Sequence, residues 1–178
     1  MAHRRLILDK ISSILDATDA VLDQQLTDML DKASRIFISG AGRSALVARF
    51  FAMRLMHGGY NVFVVGEIVT PSLQKGDLLI VISGSGETET MIAFAKRAKE
   101  LGAEIVLISS RTSSTLADMS NTVIPIGKPE MYGKVVGMPM GTVFELSTLI
   151  FLEATISHII HEKGIPEEEM RARHANLE

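Results

Sequence analysis

The sequence predicts an α/β domain built on a doubly wound, five-stranded parallel sheet with strand order 2-1-3-4-5. Short β-branched runs recur along the middle of the chain, and each is apolar almost without alternation, as in strands that helices cover on both faces. Helical patterns separate most of these runs, which implies right-handed crossovers between parallel strands. The length of 178 residues suits a single domain spanning residues 1–178.

Two amphipathic helices come first, at about residues 4–33, where apolar side chains recur at helical spacing. The sheet core follows at about residues 35–126. Its predicted strands are residues 36–39, 62–65, 78–83, 105–109 and 122–126.

The helices between the strands have recognisable ends. The pattern at 43–57 stops at Gly58-Gly59, the one at 87–101 stops at Gly102, and a short helical piece covers 114–119. After a loop at 127–140, we expect C-terminal helices at about 142–175, one long (142–162) and one short and charged (167–175). Glu145 and Glu153 interrupt the apolar stretch of the long helix, so we expect a buried helix rather than a membrane span.

Composition excludes several classes of protein. The chain has no cysteine, which rules out a disulfide scaffold, a cysteine nucleophile and an iron–sulfur cluster. Its net charge of −3, with no dense basic run, argues against nucleic-acid binding. Asp9 and Lys10 interrupt the first apolar run, so we expect neither a signal peptide nor membrane association. We therefore expect a cytoplasmic location. The mean hydropathy of +0.25 favours self-association.

Two loops rich in glycine and hydroxyl groups follow strands 1 and 3, where strand order 2-1-3-4-5 places a ligand crevice. Glycines admit an anion close to the backbone, and helix N-termini with hydroxyl groups supply donors to it. Either loop alone is also compatible with a plain strand-to-helix turn. Together the two loops predict a phosphate site, in which Arg43 neutralises the phosphate charge. The predicted phosphate-binding residues are Ser39, Gly40, Gly42, Arg43 and Ser44 of the first loop and Ser83, Gly84, Ser85 and Thr88 of the second.

A dinucleotide site is the rival interpretation of the first loop. Residues 40–45 match G-x-G-x-x-A, and Glu67 stands where a ribose-binding acid is expected. The chain lacks room for the substrate domain of such an enzyme, and no G-x-x-x-x-G-K-[ST] motif occurs.

Residues 83–88 resemble the signature loop of the SIS (sugar isomerase) domain family, a flavodoxin-like fold that binds phosphosugars, and the resemblance covers about residues 20–161. Further segments resemble the 6-phospho-3-hexuloisomerases within that family; they are residues 49–58, 65–67, 70–71, 76–77 and 138–145. The stretch Val135-Val136-Gly137 departs from the polar sequence that this resemblance implies.

The resemblance implies an activity. These isomerases interconvert 3-hexulose 6-phosphate and fructose 6-phosphate in the ribulose monophosphate route of formaldehyde assimilation, as homotetramers without a cofactor. Another phosphosugar isomerase, or a phosphosugar-binding regulator without catalysis, stays open as an alternative.

Moving a carbonyl group between neighbouring carbons requires a base and a group that handles the oxygens, and a carboxylate and an imidazole suit these tasks. With the resemblance, Glu145 is the expected base; without the resemblance, a carboxylate stabilised by a helix N-terminus is the favoured interpretation. His57 is the expected proton shuttle or substrate contact, acting in its own site or in that of a neighbouring subunit. His158 and His161 show no third ligand, so no metal site is expected.

Overall fold

Five apolar segments form one sheet in which every neighbouring pair of strands is parallel. The computed structural model describes residues 2–177. The strand order is β2-β1-β3-β4-β5, as predicted. In the register of the central strands, Ile38 lies beside both Val64 and Ile80. The strands are β1 (Ile36–Gly40), β2 (Val62–Val64), β3 (Leu78–Ile82), β4 (Glu104–Ser109) and β5 (Thr122–Pro125).

Helices surround this sheet close to the predicted positions. They are α1 (Ala2–Asp16), α2 (Val21–Lys32), α3 (Arg43–His57), α4 (Glu89–Leu101), α5 (Thr115–Met119), α6 (Thr142–Lys163) and α7 (Glu167–Ala172). Gly102 and Gly164 end α4 and α6 with φ of 75° and 60°, a left-handed conformation that glycine adopts without strain. α4 begins two residues later than predicted and α7 ends earlier, while a 3₁₀ helix, Pro129–Tyr132, interrupts the predicted loop.

Alternating strand residues divide the core into two apolar clusters because successive side chains of a strand point to opposite faces. On one face Ile38 and Ile80 pack with residues of α1, α2, α3 and α6. On the other face Leu79 and Val81 pack with residues of α4 and α5. The covering helices on both faces explain why the strands lack polar alternation.

The long helix α6 lies in the first cluster. Among residues 2–177 it is the one helix that is long and apolar enough, by length and composition, to cross a membrane. Of its apolar 18-residue stretch, 44% is buried within the protein. A core helix meets the same criterion, and Phe151, Leu152 and Ile156 of α6 are at most 4% exposed. Its N-terminal turn delivers Glu145 to the edge of the sheet where β1 and β3 end.

Candidate active site

A cavity of about 1100 Å³ opens at the carboxyl ends of β1 and β3, the place where strand order reverses. The loops after β1, β3 and β4 form one side of it. The chain from the 3₁₀ helix to the first turn of α6 forms the other side. Its polar and charged lining residues are Arg43, Ser44, Ser83, Ser85, Thr88, Ser110, Arg111, Tyr132, Lys134 and Glu145.

The loop after β3 brings three hydroxyl groups to the cavity at the N-terminus of α4. Ser83 Oγ lies 3.2 Å from Thr88 Oγ1 and accepts a 3.2 Å hydrogen bond from the Gly86 N–H. Ser85 Oγ accepts one of 3.2 Å from the Glu87 N–H. These hydroxyl groups and the N–H groups at the start of α4 form an arrangement suited to an anion such as phosphate.

Gly84 is held against α6 by close packing. A Cβ at this position would lie 2.9 Å from Cδ1 of Phe144, nearer than side-chain atoms tolerate. The Gly84 carbonyl oxygen also accepts a 2.6 Å hydrogen bond from Ser110 Oγ. Gly84 therefore lets the loop 83–88 approach the helix that carries Glu145.

The loop after β1 contributes Ala41, Arg43 and Ser44 to the cavity, whereas Ser39, Gly40 and Gly42 do not line it. This differs from the predicted phosphate contacts. Ser39 is 3% exposed, and its hydroxyl group donates to Met91 Sδ at 3.2 Å, because its side chain points into the sheet–helix interface.

The two glycines of this loop shape the backbone. A Cβ on Gly40 would lie 2.9 Å from the backbone of Ser44, and Gly42 has φ 56° and ψ −128°, which favours glycine. They allow α3 to begin immediately after the strand.

Glu145 lies in the first turn of α6 at the cavity wall, with a side chain 12% exposed. Its Oε2 accepts a hydrogen bond from Arg43 Nε, which forms an ion pair between the starts of α6 and α3. A Cβ on Gly141, which has φ 86°, would lie 2.7 Å from Glu145 Oε1. A negative charge in the first turn of a helix stabilises that helix. The structure thus places the predicted base beside the predicted phosphate loop.

His57 is not brought to this cavity within one chain. It ends α3, about 21 Å along the helix axis from Arg43 at 1.5 Å per residue. Its side chain is buried and stacks on His174, with 5.2 Å between ring centroids. Burial, and to a lesser extent the charges of His174 and Arg54, lower the pKa of His57. A catalytic role for His57 requires the cavity of another subunit and stays a prediction.

Sequence reasoning missed four polar residues of the cavity, Ser110, Arg111, Tyr132 and Lys134. Arg111 follows β4, whose carboxyl end lies at the same edge of the sheet as those of β1 and β3. The predicted strand order could therefore have identified Arg111 as a residue near the crevice. Lys134 lies in an irregular loop that carries no sequence pattern. Tyr132 donates from its hydroxyl group to the Ile126 carbonyl oxygen, and its ring meets Phe144 edge-on at 6.3 Å. Burial raises the pKa of Tyr132.

Within residues 2–177, no group of three or more histidine, aspartate and glutamate side chains is placed to hold a metal ion. His158 Nε2 instead lies 2.9 Å from Gln24 Oε1 and 3.6 Å from Glu162 Oε2. These contacts join α6 to α2 and to its own next turn.

Comparison with known proteins places this geometry in a family. Residues 29–155 match the model of the SIS domain. The 3-hexulose-6-phosphate isomerase of Methylomonas aminofaciens is 52% identical over 178 residues, which cover 99% of this chain and 98% of that protein. The 3-hexulose-6-phosphate isomerase of Bacillus subtilis (strain 168) is 42% identical over 160 residues, covering 86% of this chain and 85% of that protein.

A solved structure agrees over the whole chain. The crystal structure of a Methanococcus jannaschii protein, from which a function of 3-hexulose-6-phosphate isomerase was inferred, superposes with a TM-score of 0.88 at 37% identity and covers 100% of both chains.

Proposed function

The chain belongs to the SIS-domain family, and on that premise we propose that it is a 3-hexulose-6-phosphate isomerase, which interconverts 3-hexulose 6-phosphate and fructose 6-phosphate. The observation that carries this proposal is the meeting of Glu145 with the hydroxyl loop 83–88 in one cavity. The identity of 52% to an isomerase of that name, over nearly the full length of both chains, supports the substrate.

We propose that the phosphate binds at the N-terminus of α4. Ser83, Ser85 and Thr88 surround it there together with backbone N–H groups. The remaining sugar chain extends toward α6, and a cavity of about 1100 Å³ has room for a hexulose phosphate. Arg111 and Lys134 line the same cavity and add positive charge near the phosphate and the developing oxyanion.

The chemistry is a proton transfer between neighbouring carbons. Glu145 removes the proton from C2 of 3-hexulose 6-phosphate, and the electron pair of that bond forms the 2,3-enediolate. Return of a proton to C3, with transfer of the C2 hydroxyl proton to the C3 oxygen, then gives fructose 6-phosphate. The two carbons exchange oxidation level within one molecule, so the reaction consumes no external oxidant or reductant. The hydroxyl proton needs a second group, for which His57 of a neighbouring subunit is our proposal.

We further propose that the protein is a homotetramer located in the cytoplasm. It would act in the ribulose monophosphate route and have no nucleic acid or membrane partner. Exposed apolar side chains on α3 support self-association, since Leu46, Phe50 and Met53 are 63%, 44% and 58% exposed.

The test is incubation of the purified protein with fructose 6-phosphate, followed by identification of the isomer by NMR. We expect Glu145→Gln to lower kcat on the order of 100- to 10,000-fold, because an amide has no basic lone pair at neutral pH. Substrate binding should persist. Glu162→Gln, on the same helix but outside the cavity, is the matched control and should keep wild-type turnover.

Two outcomes contradict parts of this proposal. Wild-type turnover in Glu145→Gln removes Glu145 as the base and returns it to a helix-capping charge. Tight binding of fructose 6-phosphate by the wild-type protein without any isomer formed indicates a phosphosugar-binding regulator instead of an enzyme.

A further inference from the structure

Arg43 occupies a position that electrostatics disfavours. It is the first residue of α3, where the helix dipole and unpaired N–H groups create partial positive charge. The first turn of α3 contains no acidic residue that offsets this charge. The Arg43 side chain is 62% exposed, so it has room to extend into solvent, yet its Nε donates to Glu145 Oε2 across the cavity wall.

Glu145 is constrained from two sides. Arg43 holds Oε2, and this is the one hydrogen bond of the carboxylate among the described residues. On the other side, Oε1 lies over Gly141, where only a glycine leaves it space. The carboxylate is therefore positioned by the start of α3 and by the turn that precedes α6.

The surroundings of the pair are largely apolar. Behind the main cavity, Arg43 and Glu145 also line a second hollow of about 210 Å³, whose other walls are Leu46, Val47, Phe50, Leu146 and Leu149. These apolar side chains border one side of the pair, while the Arg43 side chain itself stays 62% exposed.

We propose that Arg43 is a positioning residue for the isomerisation: its guanidinium holds Oε2 of Glu145 and directs the unoccupied oxygen, Oε1, toward the substrate carbon. This inference rests on the proposed function. It differs from the role that the sequence suggested, because an arginine already paired with the base acts on catalysis and contributes little to phosphate affinity. The phosphate then depends on the loop 83–88.

The test is a double-mutant cycle between Arg43→Gln and Glu145→Gln, measured by steady-state kinetics and by inhibition with inorganic phosphate. We expect Arg43→Gln to lower kcat on the order of 10- to 100-fold, since misplacement of a catalytic group by about 1 Å costs about that much. The KM and the inhibition constant for inorganic phosphate should change less than about 3-fold. In the Glu145→Gln background, the second substitution should have no further effect on kcat, because the group that Arg43 positions is already absent.

Two further variants complete the design. Arg43→Lys keeps the charge without the guanidinium geometry and should recover part of the lost kcat. If Arg43→Gln fails to fold, Arg43→Lys takes its place in the double-mutant cycle. Arg49→Gln is the matched control, because Arg49 lies on the same helix and forms a surface ion pair of 2.8 Å with Glu67. Its kcat and KM should equal those of the wild type.

Three results overturn the inference. A rise of 10-fold or more in KM and in the phosphate inhibition constant, at unchanged kcat, makes Arg43 a phosphate ligand. Unchanged kinetics in Arg43→Gln makes the ion pair incidental. Equal loss of kcat from Arg43→Gln in both backgrounds shows that Arg43 acts independently of Glu145. Failure of the proposed function is distinguishable, because it shows in the proteins that keep Arg43: the wild type forms no isomer, or Glu145→Gln keeps wild-type turnover.

Discussion

Gly84→Ala tests whether the phosphate loop and the helix carrying Glu145 are packed as one unit. The added Cβ would lie 2.9, 3.1 and 3.3 Å from three ring atoms of Phe144, whereas ordinary contact begins at 3.4 Å. Phe144 is 6% exposed and its ring is backed by Tyr132, so it has little room to withdraw. An overlap of about 0.5 Å must shift either the loop or the first turn of α6.

Overpacking of a protein core typically lowers the free energy of unfolding by about 1–3 kcal/mol, and we expect a loss in this range for Gly84→Ala. For a chain of this length each 1 kcal/mol lowers Tm by about 2–4 °C, so we expect a fall of about 2–12 °C. Because Glu145 directly follows Phe144, kcat should fall as well, on the order of 10-fold. Thermal unfolding by circular dichroism and steady-state kinetics measure the two effects.

Gly133→Ala is the control for this substitution. Gly133 lines the same cavity, has φ −62°, and a Cβ there meets nothing within 4 Å. A surface substitution usually changes the free energy of unfolding by no more than about 0.5 kcal/mol, so the Tm of Gly133→Ala should change by no more than about 2 °C. If Gly84→Ala retains wild-type Tm and kcat, the close packing of loop and helix is refuted.

Three further predictions concern other parts of the molecule. Gly42→Ala should destabilise by about 1–3 kcal/mol in urea titrations, because φ 56° with ψ −128° strains any residue with a Cβ; an unchanged midpoint contradicts this. Ser85→Ala and Thr88→Ala should each weaken inhibition by inorganic phosphate about 5- to 150-fold, the equivalent of about 1–3 kcal/mol, and unchanged inhibition in both places the phosphate elsewhere. His57 has a lowered pKa in the folded protein, so protonation favours unfolding: its contribution to stability is complete above about pH 6.5 and is lost as pH falls through the lowered pKa. Tm measured against pH should therefore fall on the acid side less steeply in His57→Gln than in the wild type, and identical profiles contradict the assignment.

The sequence determined the sheet, its strand order and the place of the crevice. Apolar runs without alternation identify strands covered on both faces, and the handedness of crossovers leaves few orders for five such strands. The loop 83–88 was predictable as part of the site for the same reason, since a glycine and hydroxyl loop at a strand end keeps that position in any doubly wound sheet. Ser83, Ser85 and Thr88 line the cavity, and their binding of phosphate stays a prediction.

The tertiary structure alone decided how side chains meet across the chain. Arg43 and Glu145 are 102 residues apart, and their ion pair depends on how α3 and α6 pack against one face of the sheet. Ser39 faces the opposite side of the sheet, where it contacts Met91 of α4, and His57 lies at the far end of α3. Local patterns report secondary structure and burial because these repeat along one segment. The partner of a side chain depends on the relative placement of several segments, which no single segment encodes.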